Sequence, residues 1–361
     1  MGAKGLVMGT ASLDLLKGSL SRMTAGRGRL TVLIGVLVAV VMASNAHAGS
    51  KTFVTHRRVV SYNGFSNAST YAQNWLLFYS LELQFGAKNL PAFSHGKLRL
   101  AADPFRGWMD KTCVVGFPVC VNADHVKYQA FSRRTFSVPK HGSVALSADI
   151  LARTSGTRLG YVVRATGRRI PEAQQAAAVL QMTEPNVAMT LDWFVSRHEA
   201  MPKIERTLAP VGTAGLDRAY TQFLPAVGIK PGRPHRFSIR YTRGLRKRDL
   251  AEWFIDGQRV AAVHDVGIPL DVQNPRRYGG ITFRSLGRGE RLAPKMNNIV
   301  IGHGVYSFVD NFPFFPAYSL FPTYPTFFVS IPEQQRIFGQ GVDATFSNFK
   351  VATVSNVGLA Q

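Results

Sequence analysis

The sequence predicts an all-β fold of the sandwich type, and three observations carry that prediction. Runs of alternating apolar and polar residues recur roughly every 10 to 15 residues through most of the chain, which sends one set of side chains into a core and the other toward water. Turn signals separate the runs: Asp103-Pro104, Pro139 to Gly142 and Asp256-Gly257. The last sits between two β-prone runs, where a tight primed turn needs positive φ at both central positions. Only one segment has helical character, so strands dominate.

The elements follow in order. "RGRLTVLIGVLVAVVMASNAHAGS" places Arg27 and Arg29 before an apolar run that ends near Ala46-His47-Ala48. Basic flank, apolar run and A-x-A site together predict an export signal over residues 1–48, cleaved after Ala48; an uncleaved anchor is the alternative. Met23 is a second candidate start, because a chain beginning there would carry a signal of ordinary length. No later run reaches the ~20 apolar residues of a spanning helix, so residues 49–361 are expected as a single domain outside the cytoplasm, secreted or in the periplasm or envelope. Residues 49–72 read as an exposed lead-in in which "THRRVV" forms an edge strand.

"NWLLFYSLELQFG" is dense in β-formers, and "GKLRLAADPF" reads as a strand closed by Asp-Pro. "HVKYQAFSRRTFSVPKHGSVALSADILART" gives two strands around the Pro139 to Gly142 turn. "IPEAQQAAAVLQM", Ile170 to Met182, is the helix candidate, with Pro171 where a first turn tolerates it and good helix formers behind. "VAMTLDWFVS" and "MPKIERTLAP" form a strand pair joined through "RHEA". "HRFSIRYTRG", "LAEWFIDG", "QRVAAVHDV", "GGITFRSLG", "MNNIVIGHGVYSF" and "ATFSNFKVATVS" complete the strands. Between the last two lies a Pro- and aromatic-rich stretch, residues 308–335, whose prolines exclude a central strand and leave a long loop.

The chain carries a formal charge of +22; residues 1–48 hold five basic and one acidic side chain, so +18 remains from Gly49 onward. That excess favours an anionic partner such as an acidic polysaccharide or a wall polymer. The other reading is adaptation of an exported protein to its surroundings. The two cysteines, Cys113 and Cys120 in "CVVGFPVC", predict a disulfide around a small loop in an exported chain. A metal site there would need more ligands than the sequence supplies nearby.

The pair "HRFSIRYTRG…AEWFIDGQRV", with Trp-x-x-Asp-Gly closing one strand before the next begins, resembles the hairpin of concanavalin A-like lectins, glucanases and laminin G-like domains. With "VKYQAFSRRTFSVPKHGSVALSADILART", "MTLDWFVSRHEAMPKIERTLAP" and the closing "GQGVDATFSNFKVATV", the chain is similar, over about Asn122 to Val354, to a bacterial family of exported concanavalin A-like proteins catalogued as a domain of unknown function. The resemblance implies a two-sheet jelly roll whose concave face binds glycans in many members. Bound calcium is common in that fold, but no Asp/Asn-rich loop with dense ligand spacing supports it here. Fold alone does not give function.

Retaining glucanases of this fold carry an alternating Glu-x-Asp-x-Glu-like strand, since alternate residues share a face. Centring that pattern on Asp192 puts Thr190 and Phe194 at the glutamate positions, so those catalytic roles do not carry over. Asp192 and Glu205 remain as a carboxylate pair on neighbouring strands, the minimum for general-acid and general-base cleavage of a glycosidic bond. A purely structural role, with Glu205 paired to Arg206, Arg197 or Lys203, competes with it. A lyase acting on uronates would instead need cations and a proton-transfer group; Arg164, Arg240, Arg284, Tyr161, Tyr241, His198 and His235 are available. Trp193 and Tyr318 are candidate stacking platforms for sugar rings, whereas Trp253, two residues before the turn, reads as core. No nucleotide-binding loop, nucleophile elbow or zinc cluster is present, so cofactor chemistry is excluded and nucleic acid is disfavoured as a partner. An exported carbohydrate-binding or envelope-associated protein, with an acidic glycan as partner, is the leading expectation. A glycoside hydrolase or polysaccharide lyase is the alternative. A basic structural protein that binds anionic wall polymer or DNA by charge alone comes third.

Overall fold

Alternation along residues 142–155 is carried through faithfully: Val144, Leu146, Ala148, Ile150 and Ala152 are buried and the intervening side chains are half-exposed or exposed. The computed structural model describes residues 53–79, 91–102, 126–164, 167–206, 218, 220–244, 248–274, 281–282, 287–307, 337 and 339–358. In chain order the strands are β1 (Phe53–Ser61), β2 (Trp75–Tyr79), β3 (Ala92–Ser94), β4 (Lys97–Ala102), β5 (Val126–Ser132), β6 (Phe136–Ser137), β7 (Gly142–Ser155), β8 (Val162–Val163), β9 (Arg168–Arg169) and β10 (Ala177–Glu184). They continue as β11 (Met189–Val195), β12 (Glu199–Arg206), β13 (Tyr220–Phe223), β14 (Val227–Gly228), β15 (His235–Arg243), β16 (Asp249–Ile255), β17 (Gln258–His264), β18 (Ile281–Thr282), β19 (Asn298–Tyr306) and β20 (Gly341–Gly358). Among the described residues three short helices, α1 (Ala68–Asn74), α2 (Glu172–Gln175) and α3 (Leu270–Gln273), lie between them.

Two antiparallel sheets form the jelly-roll sandwich. One runs β17-β16-β15-β7-β20-β4-β3 with β1 added on β20; the other runs β18-β13-β12-β11-β10-β19-β5-β2 with β14 on β12 and β6 on β19. A bulge between Ser347 and Lys350 divides β20, so that its first half pairs with β4 and its second half with β1 while β7 follows both. The core between the sheets joins Leu146, Ile150, Phe237, Ile239 and Trp253 of one to Leu180, Leu191, Trp193 and Ile301 of the other. Two indoles cross it in opposite directions. Trp193 Nε1 donates to Ser238 O at 2.9 Å, and Trp253 Nε1 donates to the Asp192 carbonyl at 2.9 Å. Each satisfies a buried donor that would otherwise be costly.

Asp256 and Gly257 have φ of +50° and +84°, the left-handed pair of a type I′ turn. Asp256 also accepts hydrogen bonds from Arg236 N and His235 Nδ1, which pins the start of β15 to the turn.

Two expectations need correction. The helix expected over Ile170 to Met182 shrinks to α2, and its second half is β10, a central strand paired with both β11 and β19. Ala178, Leu180 and Met182 enter the core while Val179, Gln181 and Thr183 face the other way, so two ladders of hydrogen bonds and burial on both faces override helix propensity. The stretch before Ala72 carries the strand expected at "THRRVV", as β1 paired with β20, but it is not an exposed lead-in throughout, since Tyr62, Phe65 and Tyr71 are buried. Asn67 caps α1 by accepting from Thr70 N. The export signal, the cysteines, Arg284 and the 308–335 stretch with Tyr318 lie outside the described residues.

Candidate functional site

The ten-stranded sheet is buried on both faces through its centre; every residue of β11 is buried. One face is the sandwich core, and the opposite face is the one that matters chemically. Strand alternation puts Thr190, Asp192 and Phe194 on it from β11, and pairing registers Asp192 opposite Lys203 and Thr190 opposite Glu205. The expected pair is therefore brought together on one face, but diagonally, with Lys203 directly across from Asp192.

Lys203 Nζ lies 2.9 Å from Asp192 Oδ2 and is bonded to Glu205 Oε2 as well. Thr221, from β13, donates to Glu205 Oε1 at 2.6 Å. On the other side of Asp192, Gln181 Oε1 accepts from Tyr306 Oη at 3.0 Å and from Gln129 Nε2 at 3.2 Å. Thus β5, β19, β10, β11, β12 and β13 each contribute one or more members of a continuous polar row. Phe194, Met201, Phe223 and Tyr306, with Ala177, Val179 and Ala173 of α2, form the apolar frame around it. Lys203 also sits 5.5 Å from the Phe194 ring centroid.

Glycine shapes the floor. A Cβ on Gly302 would lie 2.8 Å from the Phe131 ring, and one on Gly304 would lie 2.4 Å from Tyr128 O and 2.8 Å from the Tyr306 ring. Both positions must be bare for the two rings to lie against β19.

Burial dominates the electrostatics. It pushes the Asp192 carboxyl up to about 6, against the pull of Lys203, with Glu205 adding to the rise. For Lys203 burial acts downward, yet the two carboxylates outweigh it and hold the ammonium above its ordinary value. Burial, with Asp192 behind it, keeps the Tyr306 phenol protonated. One detail stands apart. Asp192 has its ion pair with Lys203 and the Gln181 side chain beside it, both of which pull its carboxyl down, but neither oxygen receives a hydrogen bond of good geometry although the side chain is fully buried. Such an acceptor calls for a donor.

The other expected residues scatter. Trp193 is in the core against Phe237 at 5.3 Å, with no ring face open to a ligand, because alternation turns it away from Asp192. Tyr241 is also core, donating to Asp249 at 2.8 Å. Arg240 lies on the outer face of the other sheet, paired with Glu252 at 2.7 Å. Arg164 is exposed beside β8. His235 is buried against Asp256. His198 is half-exposed in the β11–β12 connection, bonded to Glu172.

Lys203, as a bridge between the acids, was signalled by its i, i+2 spacing to Glu205 on one strand; Gln181 was hidden by the helical reading of its segment.

No curated protein matches the chain. Among solved structures it is similar to porphyranase B from Zobellia galactanivorans, at 9% identity and a TM-score of 0.38, covering 84% of this chain and 94% of that one. The alginate lyase Aly36B is similar at 10% identity and 0.34, covering 84% and 98%. The carbohydrate recognition domain of Emp47p is similar at 8% and 0.34, covering 82% and 95%. At that level of likeness neither an activity nor a ligand transfers to this chain. A family model matches residues 86–355. The chain accordingly belongs to the family of unknown function DUF6081.

Proposed function

We propose that the protein is an exported carbohydrate-binding jelly roll whose sugar site is the polar row around Asp192. The observation that carries this reading is the buried Asp192 carboxylate, held by Lys203 and Gln181 without a well-aligned hydrogen bond and set in a frame of aromatic and aliphatic side chains. A sugar hydroxyl is a donor of the right kind; Phe194, Phe223 and Tyr306 are as buried as Trp193 in the free protein, so a pyranose meets a ring face only if this side of the sheet opens to admit it. Binding rather than hydrolysis suits the pair, because Asp192 and Glu205 both turn an oxygen to the same Lys203 ammonium. The acidic glycan preference rests on the +18 charge of the chain from Gly49. Export by cleavage after Ala48 and a Cys113–Cys120 disulfide belong to the same reading.

The test is retention of the chain from Gly49 on a panel of neutral and acidic polysaccharides, with Tyr306→Phe and Thr221→Val as mild variants. Binding by the parent and weakening by each variant, roughly tenfold for one lost hydrogen bond at a buried site, is expected. No retention on any glycan, or variants that bind as the parent does, would overturn the reading.

A further inference from the structure

At the end of the same sheet face stands a second cluster that the polar row does not use. Ser196 lies four residues beyond Asp192, about 13 Å along an extended strand, with Phe194 between. Here α2 delivers Glu172, which is 2% exposed. Its Oε1 accepts from Thr154 Oγ1 at 2.6 Å and Thr157 Oγ1 at 2.9 Å. Its Oε2 accepts from His198 N at 2.9 Å and His198 Nδ1 at 3.0 Å, and lies 3.1 Å from Ser196 Oγ, whose single proton has a shorter bond to Glu199 O at 2.7 Å. Burial acts to raise this carboxyl, but the hydrogen bonds from Thr154, Thr157 and His198 outweigh it and hold it below its ordinary value. Glu172 is thus an ionised acceptor.

That fixes the imidazole. A carboxylate can only accept, so Nδ1 carries the proton, and in the neutral ring Nε2 holds the lone pair. The His198 side chain is 36% exposed. Three arginines stand on the segments that meet at this cluster. Arg169, 60% exposed, pairs with Glu199 Oε1 at 2.6 Å, while the other oxygen of Glu199 takes Glu172 N at 2.8 Å. Arg158 is exposed on the loop that Gln175 holds through its backbone N and O, and Arg197 is exposed next to His198. With Glu172 and Glu199 counted, the cluster keeps a net positive charge.

We infer that the Glu172–His198 dyad is a proton-transfer site for β-elimination at a uronate residue of an acidic glycan; this rests on the proposed carbohydrate site. His198 Nε2 takes the proton α to the uronate carboxylate, and that C–H electron pair becomes the new C=C bond. The bond to the glycosidic oxygen breaks with its pair on oxygen, which takes the proton back from Nε2. Arg169, with Arg158 and Arg197, neutralises the carboxylate as charge builds on it. Glu172 is the positioning residue that keeps the Nδ1 proton in place.

The chain from Gly49 is incubated with polymannuronate, polyguluronate and polygalacturonate, with a neutral glucan as control, and the ultraviolet absorbance of unsaturated uronate is followed. Elimination on one polyuronate is expected, falling about 100-fold or more in His198→Gln and rising in KM in Arg169→Gln, with Arg259→Gln unchanged. Nitrogen NMR of the imidazole should show the Nδ1–H tautomer, lost in Glu172→Gln. Binding without elimination, or His198→Gln as active as the parent, overturns this inference and leaves the carbohydrate site standing; absence of all glycan binding overturns both.

Discussion

Replacing Lys203 by Met removes the ammonium that Asp192 and Glu205 share and keeps a side chain of similar length. Lys203 and Asp192 are essentially inaccessible and Glu205 nearly so, so both acids would be left as unpaired charges in a dry site. Breaking a buried pair from one side costs about 3–5 kcal/mol. The cost should depend on pH, and its sign follows from Asp192. Its carboxyl sits near 6 even with Lys203 present, against an ordinary 3.8, a gap worth about 3 kcal/mol. A carboxyl raised by folding contributes stability that is full below its unfolded value and is lost as pH rises through the folded one. Without Lys203 the folded value climbs further, so the variant recovers as pH falls. Urea unfolding at pH 7 and pH 5 should therefore show a deficit of about 3–5 kcal/mol shrinking to about half or less, with an unchanged denaturant slope. The combined Asp192→Asn, Lys203→Met, Glu205→Gln variant should lie close to the parent at pH 7, since no charge remains to be stranded. A deficit below about 1 kcal/mol, or one constant from pH 5 to 8, would refute the account of the row as a desolvated charge cluster.

Other parts of the molecule make equally definite predictions. His303 is fully buried and burial lowers its imidazole to about 3; stability from this group is present above its unfolded value near 6.5 and lost as pH falls toward 3, so His303→Gln should flatten acid unfolding between pH 6 and 4 in a thermal melt. Gly304→Ala places a methyl 2.4 Å from Tyr128 O and should cost about 1–3 kcal/mol in urea, whereas Gly257→Ala, with open space around it, should show only the smaller penalty of a left-handed φ. Trp253→Phe removes the indole donor to the Asp192 carbonyl, which keeps its place in the β11 ladder, and should cost about 0.5–1.5 kcal/mol for the lost hydrogen bond; in glycan retention it should also weaken binding through displacement of Asp192. Asp256 is held below the usual carboxylate range by Arg236 N, His235 and Arg233 against the opposing effect of burial, so its contribution is present above pH 4 and fades in stronger acid. Asp256→Asn should reduce that loss in an acid titration of the melting temperature.

How much of this was legible in the sequence depends on what each feature asks of its neighbours. Period-two alternation is local, so the strands around Leu146, Ile239 and Trp253 and the hairpin closed by Asp256-Gly257 could be read directly. Alternation also put Asp192 and Glu205 on one face once their strands were taken as a pair. It did not reveal which face Trp193 takes relative to a ligand, because burial on both sides of β11 erases the polar alternation that would have marked the inside. The segment from Ile170 failed for a related reason. Ala, Gln and Leu favour helix when nothing else acts, and only the two flanking strands, distant in sequence, turn Ala177 to Glu184 into β10.

That single misreading hid both halves of the chemistry. Taken as helix, the segment scatters Glu172 and Gln181 around a cylinder. Taken as a short cap followed by a central strand, it puts Gln181 beside Asp192 in the polar row and leaves Glu172 at the strand entrance, where four donors converge on its carboxylate. His198 could be picked out from sequence as a titratable residue at a strand end, but its tautomer could not, since the partner that fixes it lies 26 residues away across an element boundary. The proton on Nδ1 is therefore a property of where α2 meets the sheet rather than of any local motif, and a variant that displaces α2 should alter the imidazole before it alters the overall fold. Gln181→Val, which removes the amide shared by Gln129 and Tyr306, should accordingly weaken glycan retention while leaving the His198 nitrogen spectrum unchanged. If both readouts move together, the row and the dyad are one cooperative unit and not two sites on a common face.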